Sequence, residues 1–296
     1  MRRLIVNADD FGLTAGVNRA IVEAQEQGIV TSTTLMANSQ AFEEAATLAR
    51  TLAERKARFS VGCHVVLIDG EPLLPPQSVP SLLQPGRQNG AGQFRVKLND
   101  FVIASFRNKL NPAEIEAEAS AQIQRLQSAG VQPSHFDTHK HTHMFPAVLR
   151  PLLRAARTCG VRAVRNPFGR VWPLPMAHLV RKRKLWRRFA ELNVLRNFAA
   201  KFRCEVENHG LRTTDGSLAV LLTGFLDLKL FVSIVDNIPE GTWEFVCHPG
   251  YNDADLNNVR TRLRESRVQE LELLTSPQAK YVLQRAGIEL ISYHDL

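Results

Sequence analysis

The chain reads as an α/β protein whose parallel strands close into a distorted (β/α) barrel. Two observations carry that reading. Short apolar or β-branched runs alternate with stretches of helical periodicity about seven or eight times along 296 residues, a rhythm that builds a parallel sheet covered by helices. The runs also end repeatedly in polar residues, and parallel α/β folds gather their active sites at the carboxyl ends of strands.

Leu4 to Ala8 is the first strand, stopping at Asp9-Asp10 and the turn residue Gly12. Thr14 caps the helix that follows; Val17, Ile21, Val22 and Ala24 fall near helical spacing, and Gly28 ends it. A β-branched run from Val30 to Met36, a helix from Phe42 to Ala53 and a strand from Ser60 to Leu67 continue the alternation. Pro112 opens a helix rich in Glu and Ala that runs to Gly130, before a strand from Gln132 to Asp137. Pro146 opens the next helix, which ends near Gly160, and Val161 to Arg165 is a strand. Trp243 to Cys247 and Glu289 to Ser292 are the last strands, with helical sequence between them.

Two stretches interrupt the rhythm. The first, at about 68–111, is rich in Pro and Gly and reads largely as loop; the second spans about 167–215. Both are expected to lie over the barrel mouth as insertions in a single domain covering 1–296, since no linker divides the chain. Hydrophobic residues make up 44% and charged residues 22%, which excludes disorder. Apolar runs such as Leu218 to Leu222 fall far short of the ~18 residues of a membrane span. No signal-peptide pattern opens the chain, so the expected location is the cytoplasm. Four scattered cysteines suit reduced thiols better than a disulfide framework.

The formal charge of +8 is concentrated: between Arg170 and Arg203 ten basic residues face Glu191 alone. Leu185, Phe189, Leu192, Phe198 or Ala199, and Phe202 recur beside Arg183, Lys184, Arg187 and Arg188 as in an amphipathic basic helix. Such a helix either packs on the barrel or rests at the inner face of an anionic membrane, making 181–202 the expected site of peripheral contact. Zinc-finger, RRM and KH patterns are lacking, and no nucleic-acid partner is expected. A basic nucleic-acid or membrane-binding module with no enzymatic activity explains the charge but none of the strand-end histidines.

Adjacent carboxylates at Asp9 and Asp10 repel unless a cation sits close by, and a helix cap would occupy only one of them. His135-Phe136-Asp137-Thr138-His139-Lys140-His141-Thr142-His143 holds four of the nine histidines. Its odd-numbered members share one face if the strand continues, and spread around the barrel mouth if it stops near Thr138. His64 alone reads equally well as a core histidine. An Asp and two His from separate strands form a three-ligand site with open positions, as hydrolytic metals require. Those donors favour zinc and leave magnesium, manganese and cobalt open.

Asn7-Ala8-Asp9-Asp10-Phe11-Gly12, Ile29 to Thr34, Gly62-Cys63-His64, His135 to Pro146 and Cys247-His248-Pro249 together resemble the YdjC-like carbohydrate deacetylases, a group with chitooligosaccharide and hopanoid-associated members. The match covers roughly residues 1 to 67, 114 to 166 and 240 to 296 and fails in the two insertions. It implies a deacetylase barrel of the polysaccharide-deacetylase-like type and one divalent ion, magnesium or zinc, held by Asp10, His64 and His139. It also implies Asp9 as general base and His248 as general acid in removing an N-acetyl group from an N-acetylglucosaminyl carbohydrate or glycolipid, a hopanoid-linked sugar included. Arg165 and His143 are candidates for orienting these groups or binding substrate, with Arg165 placed to pair with Asp9. A metal-dependent phosphoesterase is the rival enzyme class, although two metals would need more carboxylates than the strand ends offer. A homodimer is left open.

Overall fold

The computed structural model describes residues 1–55, 59–86, 92–169 and 196–296. Its strands are β1 (Arg2–Phe11), β2 (Ser32–Leu35), β3 (Ser60–Val65), β4 (His135–Thr138), β5 (Ala163–Val164), β6 (Gly216–Leu218), β7 (Gly241–Cys247) and β8 (Ile288–Ile291). Seven of them run in the order β5-β4-β3-β2-β1-β7-β6, and every pairing is parallel. β8 lies beside the first half of β1, pairing over Arg2 to Ile5, while β2 takes over from Asn7. The central strand is therefore buried almost throughout, which is why Leu4 to Ala8 is apolar except at Asn7.

The edges of the sheet approach each other. Ala163 bridges Arg212 just ahead of β6, Asn166 Nδ2 donates to the Thr214 carbonyl, and Ser217 Oγ donates to the Asn166 carbonyl. The sheet thus curls into a distorted half-barrel with its seam between β5 and β6.

The described helices are α1 (Ala15–Glu26), α2 (Phe42–Arg55), α3 (Leu98–Phe106), α4 (Pro112–Ser128), α5 (Pro146–Thr158), α6 (Ala199–Asn208), α7 (Leu228–Asp236), α8 (Ala254–Asn257), α9 (Glu265–Thr275) and α10 (Pro277–Arg285). Thr14 caps α1 by accepting from the Val17 amide, and Asn111 caps α4 through Ala113. Gly62 shows why a small residue is needed beside His64: a Cβ there would sit 2.6 Å from the His135 ring that crosses over it.

The first insertion is less loop-like than its composition suggests. It contains α3, buries Val79, Leu82, Phe94 and Phe101, and has an antiparallel bridge between Leu83 and Phe94. Its irregular backbone stays satisfied because side chains of α4 supply the acceptors: Glu118 takes the Leu73 and Leu74 amides and Glu114 the Ser81 amide. In the second insertion, α6 packs Phe202 and Val206 inward. Arg183, Lys184, Arg187 and Arg188, the heart of the basic helix read from sequence, lie outside the described residues. None of the described helices is long and apolar enough to cross a membrane.

Candidate active site

Two neighbouring carboxylates leave β1 toward the same region, although successive residues of a regular strand point to opposite faces. The register against β2 slips between Ala8 and Phe11, so Asp9 and Asp10 together oppose Thr34, and Asp10 adopts a left-handed φ of 68°. This bulge is what turns both side chains to use.

Asp10 Oδ1 lies 3.5 Å from His64 Nε2 and 3.6 Å from His139 Nδ1, and those two nitrogens are 3.4 Å apart. Donors about 2.1 Å from one ion at tetrahedral angles stand about 3.4 Å from each other, so the triangle fits one face of a divalent-metal site. The partners behind the triangle orient it. Asp137 Oδ1 meets His64 Nδ1 at 2.7 Å, which places the proton there and turns the Nε2 lone pair toward the triangle. Arg267 Nη2 donates to Asp10 Oδ2 at 2.5 Å, leaving Oδ1 free.

Burial disfavours a charged Asp10, but Arg267 and His139 override it and hold the carboxyl well below the usual carboxylate range. Burial likewise opposes a charged His64, yet Asp137, with Asp9 and Asp10 beyond it, pushes its pKa up to about 9. The triangle thus attracts positive charge, a proton or a metal. His139 goes the other way, lowered by burial against the pull of Asp10, so its ring is neutral and able to ligate.

Arg165, just beyond β5, is wholly buried. Its Nη1 and Nη2 donate to Asp9 Oδ2 and Oδ1 at 2.7 and 2.6 Å, its Nε donates to Glu244 Oε1 at 2.9 Å, and it also pairs with Asp137. Asn7 Nδ2 donates to Asp9 Oδ1 at 2.9 Å and is itself oriented by His135. Burial raises Asp9, and Arg165 outweighs it, keeping the carboxylate ionised well below its usual range. Glu244 is pushed up by burial and accepts from Tyr293 Oη at 2.6 Å. Asp9, His64 and Asp137 form a second acidic-histidine group, but Arg165 already bonds both of its carboxylates and fills the cation's place.

His248, just after β7, puts Nε2 3.8 Å from Asp9 Oδ2. Its backbone amide donates to Glu270 Oε2 at 2.6 Å, and Nδ1 stands 4.0 Å from the same oxygen. One helix, α9, therefore supports both sides of the site, Arg267 holding Asp10 and Glu270 holding His248.

The histidine-rich run divides at the end of β4. Thr138 Oγ1 accepts from the His143 amide, and Lys140 and His141 turn the chain with φ of 56° and 54°. His139 is thereby returned to the triangle. Asp9, Asp10, His64, His139 and His248 line one cavity of about 800 Å³. Arg165 lies beneath it rather than at a surface. His143, a candidate for orienting the catalytic groups or binding substrate, is fully buried, joins Thr138, packs near Phe202 and does not line the cavity. His141 lines the cavity instead, because the left-handed turn reverses the two-residue alternation that would have put both rings on one face. Arg267, Glu270 and Glu244 went unread. The first two share the buried stripe of α9 with Leu271 and Leu274, and a charge on such a stripe was the signal available.

The YdjC-like protein family model matches residues 3–285. A carbohydrate deacetylase of Brevibacillus brevis is 33% identical over 99% of both chains, and one of Geobacillus stearothermophilus is 32% identical over 99% of this chain and 98% of its own. A crystal structure from Enterococcus faecalis, provisionally described as a cellobiose-phosphate cleavage protein, superposes with a TM-score of 0.74 at 29% identity over 99% of this chain and 98% of that one. With a family match over residues 3–285 and relatives aligned over nearly their full length, the chain belongs to the YdjC-like carbohydrate deacetylase family.

Proposed function

We propose that the protein is a metal-dependent hydrolase that removes the N-acetyl group from an N-acetylglucosaminyl carbohydrate or glycolipid. The observation that carries this is the Asp10-His64-His139 triangle beside the Asp9 and His248 side chains in one cavity. A divalent ion held by the triangle would supply a water of lowered pKa and a Lewis acid for the acetamide carbonyl. Asp9, held by Arg165 and Asn7 with its carboxylate ionised, would take the proton from the attacking water. As hydroxide adds to the carbonyl carbon and the carbon–nitrogen bond breaks, His248, whose Nε2 lies 3.8 Å from Asp9, would protonate the departing amine, giving acetate and a free amino sugar. Arg165 and Asn7 hold Asp9 in place, while Arg267 and Asp137 hold the triangle. Two imidazoles and one carboxylate favour zinc over magnesium.

A phosphoesterase working through two metals is disfavoured because Arg165 fills the second acidic-histidine group. The test is metal analysis of the purified protein followed by acetate-release assays on a panel of N-acetylglucosaminyl compounds, with nitrophenyl phosphate in parallel. Acetate release that disappears on chelation and returns with one added ion is expected. Phosphate release without acetate release, under every divalent ion tried, would overturn the reading.

A further inference from the structure

Helix α3 differs from the other described helices on its outer side. Phe101 and Ala104 face inward, but Leu98, Ile103 and Phe106 are 38%, 50% and 62% exposed, with half-buried Val102 among them. At 100° per residue these four side chains cover an arc of roughly 140° that a water-facing helix would fill with polar groups. Of the six large hydrophobics exposed among the described residues, three are here, so the patch is concentrated rather than scattered.

The patch adjoins the cavity. Val96 and Leu98 line it, and Phe106 sets its ring edge-on to Phe145, just after the histidine-rich turn, with centroids 5.9 Å apart. Its borders are cationic: Lys97, Arg107 and Lys109 flank the helix and are exposed, and Arg260 and Arg262 line the same cavity and are exposed. None of these five side chains has a hydrogen-bond or ion-pair partner among the described residues. Asp100 is the one acidic residue on α3.

We propose that the outer face of α3 and the cationic rim of the cavity dock on an anionic lipid bilayer, with Leu98, Ile103 and Phe106 entering the boundary between headgroups and acyl chains. An apolar face bordered by cations complements a surface that is anionic outside and apolar within. A second copy of the chain would instead bring like charges together. The cavity then opens at the bilayer. Taken with the deacetylase reading, on which this clause alone rests, the substrate is an acetylated amino sugar carried on a lipid.

The experiment is sedimentation of the full-length protein with phosphatidylglycerol-containing vesicles and with phosphatidylcholine vesicles, at low and high salt. Binding to the anionic vesicles that weakens with salt is expected. Ile103→Ser with Phe106→Ser, and separately Arg260→Gln with Arg262→Gln, should each weaken it by at least about tenfold. The first pair should keep the wild-type thermal midpoint and the rate of acetate release from soluble N,N′-diacetylchitobiose, because neither residue lines the cavity. A third variant, with Arg183, Lys184, Arg187 and Arg188 changed to Gln, separates this face from the other basic segment. Loss of vesicle binding in that variant alone, with the α3 pair binding like wild type, overturns the proposal. So does failure of the wild type to bind anionic vesicles at low salt, or an α3 pair whose only effect is to turn a dimer into a monomer. Vesicle binding with the expected pattern but no acetate release from any substrate would leave the docking face standing and remove the deacetylase reading.

Discussion

The carboxylate cluster inside the barrel and the donor triangle at its mouth are built from adjacent residues, yet their negative charge is balanced in different ways. Asp9, Asp137 and Glu244 share a guanidinium that is part of the chain and cannot leave. Asp10, His64 and His139 surround a place that an exchangeable cation fits. The difference teaches that a pair of neighbouring aspartates acquires separate roles from the cation each one meets, the bulge in β1 having sent them to different partners.

The largest effect should come from separating the two. Asp9→Asn should retain bound metal while losing turnover by up to ~10⁴-fold, whereas Asp10→Ala, His64→Ala and His139→Ala should lose both. Metal content per chain and acetate release, measured together, decide it. Near-normal turnover in metal-loaded Asp9→Asn would remove Asp9 from the role of base.

Arg165→Met attacks the inner cluster. It strands three buried carboxylates and should cost about 3–5 kcal/mol of stability, read from urea unfolding; a variant as stable as wild type would mean that the cluster does not depend on its guanidinium.

A subtler change reaches only the triangle. Arg267→Lys keeps a charge but loses the directed bond to Asp10 Oδ2. It should weaken metal binding about 10- to 100-fold in calorimetry with little change in thermal midpoint. Unchanged affinity would show that Asp10 needs no partner behind it to be oriented.

The smallest effect is a pH dependence confined to the metal-free protein. His64 has a folded pKa of about 9 against an ordinary value of 6.5. Its protonation therefore stabilises the fold fully below about pH 6.5, and that contribution is lost as the pH rises through 9. Chelated protein should lose a few °C of thermal midpoint across this window, on the order expected for a chain of this size, and metal-loaded protein should not. Parallel curves for the two forms would argue against a shared place for proton and metal.

Much of the site was legible because strand ends in a parallel barrel converge whatever the helices between them do. Their positions after apolar runs bring Asp9, Asp10, His64, His248 and the histidine-rich run toward one end of the barrel, whereas the choice of His139 within that run, and of His64 over a core role, came from the family resemblance. Arg267 and Glu270 were harder to read, since a charged residue in a helix ordinarily faces water, and only their place on the stripe of Leu271 and Leu274 argues otherwise. The loop-like reading of 68–111 was incomplete for a related reason: Glu114 and Glu118 resemble solvated helix charges, but they accept the amides that let the segment pack.

The sequence by itself determined the alternation of strands and helices, and with it which polar side chains would meet at one end of the barrel, because periodicity and burial act along the chain. Tertiary structure alone decided which partner each of them took. The two-against-one bulge at Asp9 and Asp10, the left-handed turn that gives the cavity to His141 and withholds it from His143, and the burial of Arg165 among three carboxylates depend on atoms far apart in sequence. Their energies exist only once water has been excluded between them.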